Sequence, residues 1–384
     1  MRAELDAVLA TRAADGLERR RRVVDSSQGA RVAVDGREVL HFGSNDYLGL
    51  AADSRVVAAA QAGAARYGVG AGASHLISGH RAAHEILERE LAAWVASCAD
   101  AQALLFSAGY LANLAVVTAL VGRSDAVFAD RLNHACLNDA AILSRAAFMR
   151  YRHADMDDLG RRLAASPARR KLIATDAVFS MDGDIAALPR LLELAQKHDA
   201  WLLIDDAHGF GVTGDGRGTL AHFGLASERI VYMGTLGKAA GVAGAFVAAH
   251  PTVIATLVQT ARPYIYTTAL PPLLACALSA SLAAIRDEPQ RRAHLSTLTT
   301  RWRHAAAALP WATLPSETPI QPLVLGTNAE AMRISEGLWQ RGIWVPAIRP
   351  PTVPRGTARL RITLTAAHTA ADVDTLAAAL RALA

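Results

Sequence analysis

From about residue 100 the chain repeats one pattern, and that pattern restricts the fold more than any other feature. Short apolar runs compatible with β-strands follow one another: AQALLFS, DAVFAD, AAFMRY, KLIATDAVF, WLLIDDA, RIVYMGT and GAFVA. Between most of them lie stretches of helical periodicity, at 110–120, 135–144, 156–165 and 188–198. Runs buried on both faces and separated by helices predict βαβ units, hence an α/β fold with a mostly parallel, seven-stranded sheet covered by helices on both sides. Residues 2–22 are expected to form an amphipathic helix, and 31–42 a small hairpin turning at Asp35-Gly36. The polar turn 43–49 follows. The glycine-rich stretch 67–81 reads as a loop leading into a helix over 84–96. Beyond a long helical segment, the runs beginning at Ile320, Ile343 and Arg359 alternate with helices at 329–341 and 371–383, which predicts a smaller α+β domain. The expected organisation is an N-terminal helix and hairpin at 1–45, a large domain at 46–285 and a small C-terminal domain at 286–384.

Polar residues collect where strands end. In open α/β sheets that edge is where ligands bind. Ser107-Ala108-Gly109-Tyr110 joins a strand to a helix and presents backbone N–H groups suited to a phosphate, or is an ordinary turn. Ser180 follows the strand ending at Phe179. Asp205-Asp206-Ala207-His208 sets acids and an imidazole just beyond the sheet, either to hold a protonated ring nitrogen or as a helix cap with a surface histidine. Only three lysines occur, and Lys238 alone sits among glycine, alanine and valine, after the apolar run 230–233. An amine there is partly desolvated, which lowers its pKa and suits it to Schiff-base chemistry; taken alone, it is equally a lysine on a glycine-rich turn. Gly109, His134, Ser180, Asp205, His208, Thr235 and Lys238 therefore come in the order that one cofactor, pyridoxal 5'-phosphate (PLP), requires: phosphate cup, aromatic cover, hydroxyl partners, ring acid and amine.

Other chemistries fit less well. Gly209-Phe210-Gly211-Val212-Thr213-Gly214 matches a dinucleotide fingerprint in letters only, because a further loop and not a helix follows it. His75, His80 and His84 lie on a glycine-rich segment, a poor rigid frame for a metal, and none is expected. A net charge of +5 with a single dense basic run, Arg19–Arg22, and no interleaved aromatics argues against nucleic acid and suits an anionic small molecule. With 52% hydrophobic and 20% charged residues, the chain has the composition of a globular protein. Three unpatterned cysteines, an N-terminus unlike a signal peptide and the lack of a membrane-length apolar run lead to the expectation of a cytoplasmic protein away from the membrane.

The segments SNDYLGL, FSAGYLAN, DRLNHACL, VFSMDGD, IDDAHGFGV and TLGKAAGVAGAF, in this order, resemble the α-oxoamine synthases. These are fold-type I PLP-dependent transferases that join an amino acid to an acyl thioester with loss of CO2. The resemblance covers essentially residues 2–384. The tail IQPLVLG…VPAIRPPTVPRGTARLRITLTAAHT is most similar to the biotin-biosynthesis branch, which uses L-alanine and pimeloyl-CoA or pimeloyl-[acyl-carrier protein], rather than to the branches that use glycine. The resemblance implies that Lys238 carries the cofactor and moves the alanine Cα proton, with Asp205 at the ring nitrogen and His134 stacked on the ring. It places Ser180 and His208 at the ring hydroxyl, and Gly109, Tyr110 and Thr235 at the phosphate. Thr268 reaches in from the second subunit of a homodimer. Asn45 and Arg361 take the amino-acid carboxylate, Thr352 touches substrate, and Arg21, selected from the basic run by its distance to Gln28-Gly29, meets the distal carboxylate of the acyl chain.

Overall fold

The computed structural model describes residues 1–384, which divide into two compact units. One comprises 50–180 and 185–292; the other comprises 1–49, 181–184 and 293–384.

The first unit is built on a seven-stranded sheet. Its order across the sheet is Gln102–Phe106, Ala245–Ala249, Ile230–Thr235, Ala200–Asp205, Lys171–Asp176, Ala126–Asp130 and Ala147–Tyr151. Six strands are parallel to one another; Ala245–Ala249 runs against both of its neighbours. That reversal has a local cause. Only nine residues separate it from the preceding strand, too few for the helical crossover that a parallel connection needs. Strands Ala126–Asp130 and Ala245–Ala249 are buried along their whole length and Ala200–Asp205 at every position but Trp201, as expected for a sheet covered on both faces. Against one face pack the helices Gly109–Leu120, Ala135–Ser144 and Pro251–Thr260, whose Val116, Val117, Leu137, Ala140 and Leu257 join Val127, Leu172, Leu203 and Val231 of the strands in one core.

The glycine-rich segment is more ordered than its composition suggests, since His75–Gly79 form a single π-helical turn. His75, His80 and His84 converge there: His75 Nδ1 lies 2.9 Å from His80 Nδ1, and His75 stacks on Tyr264. Both nitrogens of His84 are engaged, Nδ1 accepting from Arg81 N–H and Nε2 donating to the Leu270 carbonyl at 2.7 Å.

In the second unit the first helix is shorter than its periodicity predicts, Arg2–Ala14 in place of 2–22, with Gly16 left-handed just beyond it. The hairpin pairs Arg31–Val34 with Arg37–His41, and its two turn residues, Asp35 and Gly36, both take positive φ, which the right-handed twist of a tight hairpin favours. Ile343–Trp344 adds a parallel third strand. A four-stranded antiparallel sheet holds Ala312–Thr313, Ile320–Gly326, Ala358–Thr363 and Ala347–Ile348, with the helix Asn328–Gln340 against it.

Candidate active site

Strands Lys171–Asp176, Ala200–Asp205 and Ile230–Thr235 end side by side, so their last residues meet at one edge of the sheet. A cavity of about 200 Å3 opens there. Its wall contains Gly109, Tyr110, His134, Asp205, His208, Thr235 and Lys238, seven of the residues singled out in the sequence. Cys136, Asp176, Ala207 and Met233, which were not anticipated, complete it.

Strand alternation separates the two neighbouring acids. Asp205 faces the cavity, its Oδ1 accepting from Ala207 N–H at 3.0 Å and its Oδ2 from the Asn113 amide at 2.7 Å. Asp206 points the other way and is consumed by structure: it accepts from Thr219 N–H and Oγ1, each at 2.6 Å, and from the Tyr232 hydroxyl at 2.9 Å. Burial raises the Asp206 carboxyl to about 6, against those three donors.

His134 is held from two sides. It caps the helix Ala135–Ser144, its Nδ1 accepting from Cys136 N–H at 3.3 Å, while its own N–H donates to Asp176 Oδ1 at 3.1 Å. Asn133 ties the same loop to the next strand, donating to the Ala174 carbonyl and accepting from Asp176 N–H. Burial lowers the His134 pKa, with the positive charge of Lys238 adding to the effect and Asp205 opposing it. Asp176 is fully enclosed, and burial next to the Asp205 charge drives its carboxyl well above the usual range.

Lys238 lies on the tight turn between antiparallel strands, closed by Leu236 N–H to Gly244 O at 2.9 Å and Gly241 N–H to Lys238 O at 2.8 Å. The next two residues, Ala239 and Ala240, are buried, and Ser281 donates to the Ala240 carbonyl at 2.6 Å, so small side chains here give close packing. Gly241 adopts a φ of +68° directly against the backbone of Leu50 and Ala51, which excludes a larger residue. Lys238 Nζ rests 3.1 Å from His208 Nε2.

The helix Gly109–Leu120 begins at Ala108, which offers no side-chain cap, and its first two residues, Gly109 and Tyr110, line the cavity. A Cβ at Gly109 would stand 2.7 Å from Thr235 Cγ2, so the position accepts only glycine without rearrangement. An uncapped helix start, a hydroxyl, a buried carboxylate, a neutral imidazole and an amine around one cavity form the set of partners PLP needs, and the site fits it.

Of the other expected residues, Ser180 and Thr268 lie off this wall. Ser180 is half-buried, four residues beyond the strand Lys171–Asp176, and Thr268 is exposed in a bridge with Ser74. The second unit places Asn45 against Arg361, whose Nη1 donates to Asn45 Oδ1 at 3.0 Å and to Thr363 Oγ1 at 2.9 Å; Arg361 is buried. Thr352 is exposed and donates its N–H to the Arg349 carbonyl. A cavity of about 580 Å3 in this unit is walled by Arg20, Arg21, Arg22 and Arg349, with Trp339 and Trp344. Arg20 pairs with Glu18 at 3.0 Å, Arg22 pairs with Asp35 at 3.3 Å, and Arg349 donates to the carbonyls of Gly16 and Glu18. Arg21 is the one arginine of this wall whose side chain makes no ion pair or hydrogen bond.

No helix is long and apolar enough to cross a membrane. Residues 37–380 match the family model for aminotransferase class I and II. An 8-amino-7-oxononanoate synthase from Nitrosospira multiformis is 60% identical, over 97% of this chain and 94% of its own length. One from Nitrosomonas europaea is 58% identical, over the whole of both chains. Among solved structures, a serine palmitoyltransferase from S. paucimobilis with bound PLP-myriocin superposes with a TM-score of 0.92 at 28% identity, covering 99% of this chain and 96% of that one. The chain belongs to the PLP-dependent class I and II aminotransferase family, in the branch formed by the 8-amino-7-oxononanoate synthases.

Proposed function

We propose that this enzyme makes 8-amino-7-oxononanoate by joining L-alanine to pimeloyl-CoA or pimeloyl-[acyl-carrier protein]. A carbon–carbon bond forms between alanine Cα and the thioester carbonyl, the thiol departs, and the alanine carboxylate is lost as CO2. The observation that carries this reading is the single cavity lined by Lys238, Asp205, His134 and Gly109, in a chain 58–60% identical to synthases of that name.

When bound, PLP takes up the negative charge that develops on the amino acid's Cα. The protein's tasks follow from that. Lys238 holds the cofactor and moves the proton at Cα. Asp205, kept in one orientation by Ala207 and Asn113, holds a proton on the ring nitrogen. His134 covers the ring, His208 and Ser180 meet its hydroxyl, and Gly109, Tyr110 and Thr235 hold the phosphate. Arg361, buried and already aligned by Asn45 and Thr363, binds the amino-acid carboxylate. Thr352 borders the substrate. Arg21, the unpaired wall residue of the arginine-lined cavity, meets the distal carboxylate of the acyl chain. The proposed assembly is a homodimer in which Thr268 serves the partner's phosphate, in keeping with its exposed position off its own cavity wall.

Incubation with alanine and a pimeloyl thioester, set against glycine with acetyl- or succinyl-CoA, tests the reading. Thiol release is expected only in the first arm, and release confined to glycine would sink it.

A further inference from the structure

Two side chains, Asn113 behind the cavity and Cys136 in its wall, connect the ring acid to the ring cover. Asn113 is completely buried, one helical turn beyond Gly109. Its amide nitrogen lies 2.7 Å from Asp205 Oδ2 and 3.1 Å from Cys136 Sγ, one partner for each hydrogen. The amide cannot be reversed, because its oxygen would then face the Asp205 carboxylate. As placed, that oxygen is buried and has no partner, so the donor side sets the orientation.

Cys136 is equally enclosed, and burial pushes its thiol up to about 12, so the sulfur keeps its hydrogen. With an Asn113 N–H directed at the sulfur, the S–H is left to its other neighbour, His134 Nδ1, at 2.9 Å. That nitrogen also accepts the Cys136 backbone N–H. Two donors at Nδ1 leave the hydrogen of a neutral imidazole on Nε2.

We propose that Asn113 and Cys136 are a pair of positioning residues. They form one hydrogen-bonded chain, Asp205–Asn113–Cys136–His134, that fixes the direction of the carboxylate and holds His134 as its Nε2–H tautomer. The consequence for the reaction rests on Asp205 and His134 facing PLP; the chain itself belongs to the protein with or without cofactor. Both residues act through the acid and the imidazole, and an oxygen in place of the Cys136 sulfur can make the same two contacts.

Histidine-labelled full-length protein gives a readout that does not depend on turnover. Imidazole 15N shifts, assigned with His134→Gln, report the tautomer. Wild type and Cys136→Ser should show Nε2–H. Cys136→Ala should raise the minor Nδ1–H form by roughly two- to tenfold, the worth of one neutral hydrogen bond. Asn113→Ala should do the same although it removes no contact of His134 itself. In the PLP-loaded enzyme the pH dependence of the visible absorbance should move in Asn113→Ala and Cys136→Ala and stay put in Cys136→Ser, with the double variant shifted less than the sum of the singles. An Nδ1–H tautomer in wild type, or Cys136→Ser grouping with Cys136→Ala, overturns the proposal. So does an unmoved His134 signal in folded Asn113→Ala; if that variant does not fold, the comparison of serine with alanine at 136 decides. A tautomer that responds while the loaded spectrum does not overturns the link to the cofactor, leaving the substrate test to judge the function separately.

Discussion

Replacing Glu88 with glutamine should flatten the pH dependence of stability. Glu88 lies on the helix Ala82–Val95, nearly buried, with Oε1 accepting from Leu105 N–H at 2.8 Å on the edge strand of the main sheet. Its titratable neighbours include Glu85, Tyr264 and His80, whose Nε2 is 4.0 Å from Oε2. Burial raises the carboxyl from 4.5 to about 8, the Leu105 hydrogen bond opposing and the Glu85 charge adding. Between those values the native state keeps a proton that the unfolded chain has released. Stability is therefore full below about pH 4.5, falls as pH rises toward 8, and stays lower above. The difference, 8 − 4.5 = 3.5 units, corresponds to about 5 kcal/mol across the window. Glutamine keeps an acceptor for Leu105 and cannot ionise, so the variant should match wild type within about 1 kcal/mol at pH near 5 and exceed it by about 3–5 kcal/mol at pH near 9. Equilibrium urea unfolding followed by circular dichroism at both pH values measures this. A difference between the two proteins that is the same at both refutes the reasoning.

Two predictions concern the site. Arg361→Ala, by leaving the amino-acid carboxylate without its buried partner, should raise KM for alanine by roughly 30-fold or more, with KM for the acyl thioester nearly unchanged; steady-state kinetics with each substrate varied decides it. Gly109→Ala puts a methyl 2.7 Å from Thr235 Cγ2 and should weaken PLP retention by roughly 5- to 150-fold, measured by fluorescence after dialysis, with Thr235→Ser in the same chain restoring retention because it removes that methyl.

Much of the fold could be read from the chain because its periodicity is strong and local. Each of the seven apolar runs became a strand of one sheet, and their ends brought Gly109, His134, Asp205, His208, Thr235 and Lys238 to one cavity. Pairing direction was less visible: nothing in GAFVA itself marks an antiparallel strand, and the shortness of its connection to the preceding one is the usable signal. Asn113, Cys136 and Asp176 were missed because their significance lies in contacts across 23 to 92 residues of sequence. Two of them did leave a trace, Asn113 one turn after Gly109 and Cys136 two residues after His134. The helix expected over 2–22 ended at Ala14 because its apolar spacing lacks a core to pack on: Leu5, Val8 and Leu9 are all exposed. In the run 19–22 the letters are identical; Glu18 engages Arg20, Asp35 engages Arg22, and Arg19 lies off the cavity wall that Arg21 lines.

The most direct measurement follows both leaving groups at once. Alanine labelled at its carboxyl carbon is supplied with a pimeloyl thioester, and labelled CO2 and free thiol are counted together in wild type and in Lys238→Ala. Equal amounts of the two from wild type, with neither from the variant, are predicted. Thiol released without labelled CO2, or undiminished release of both by Lys238→Ala, would contradict a decarboxylative condensation carried out at this lysine.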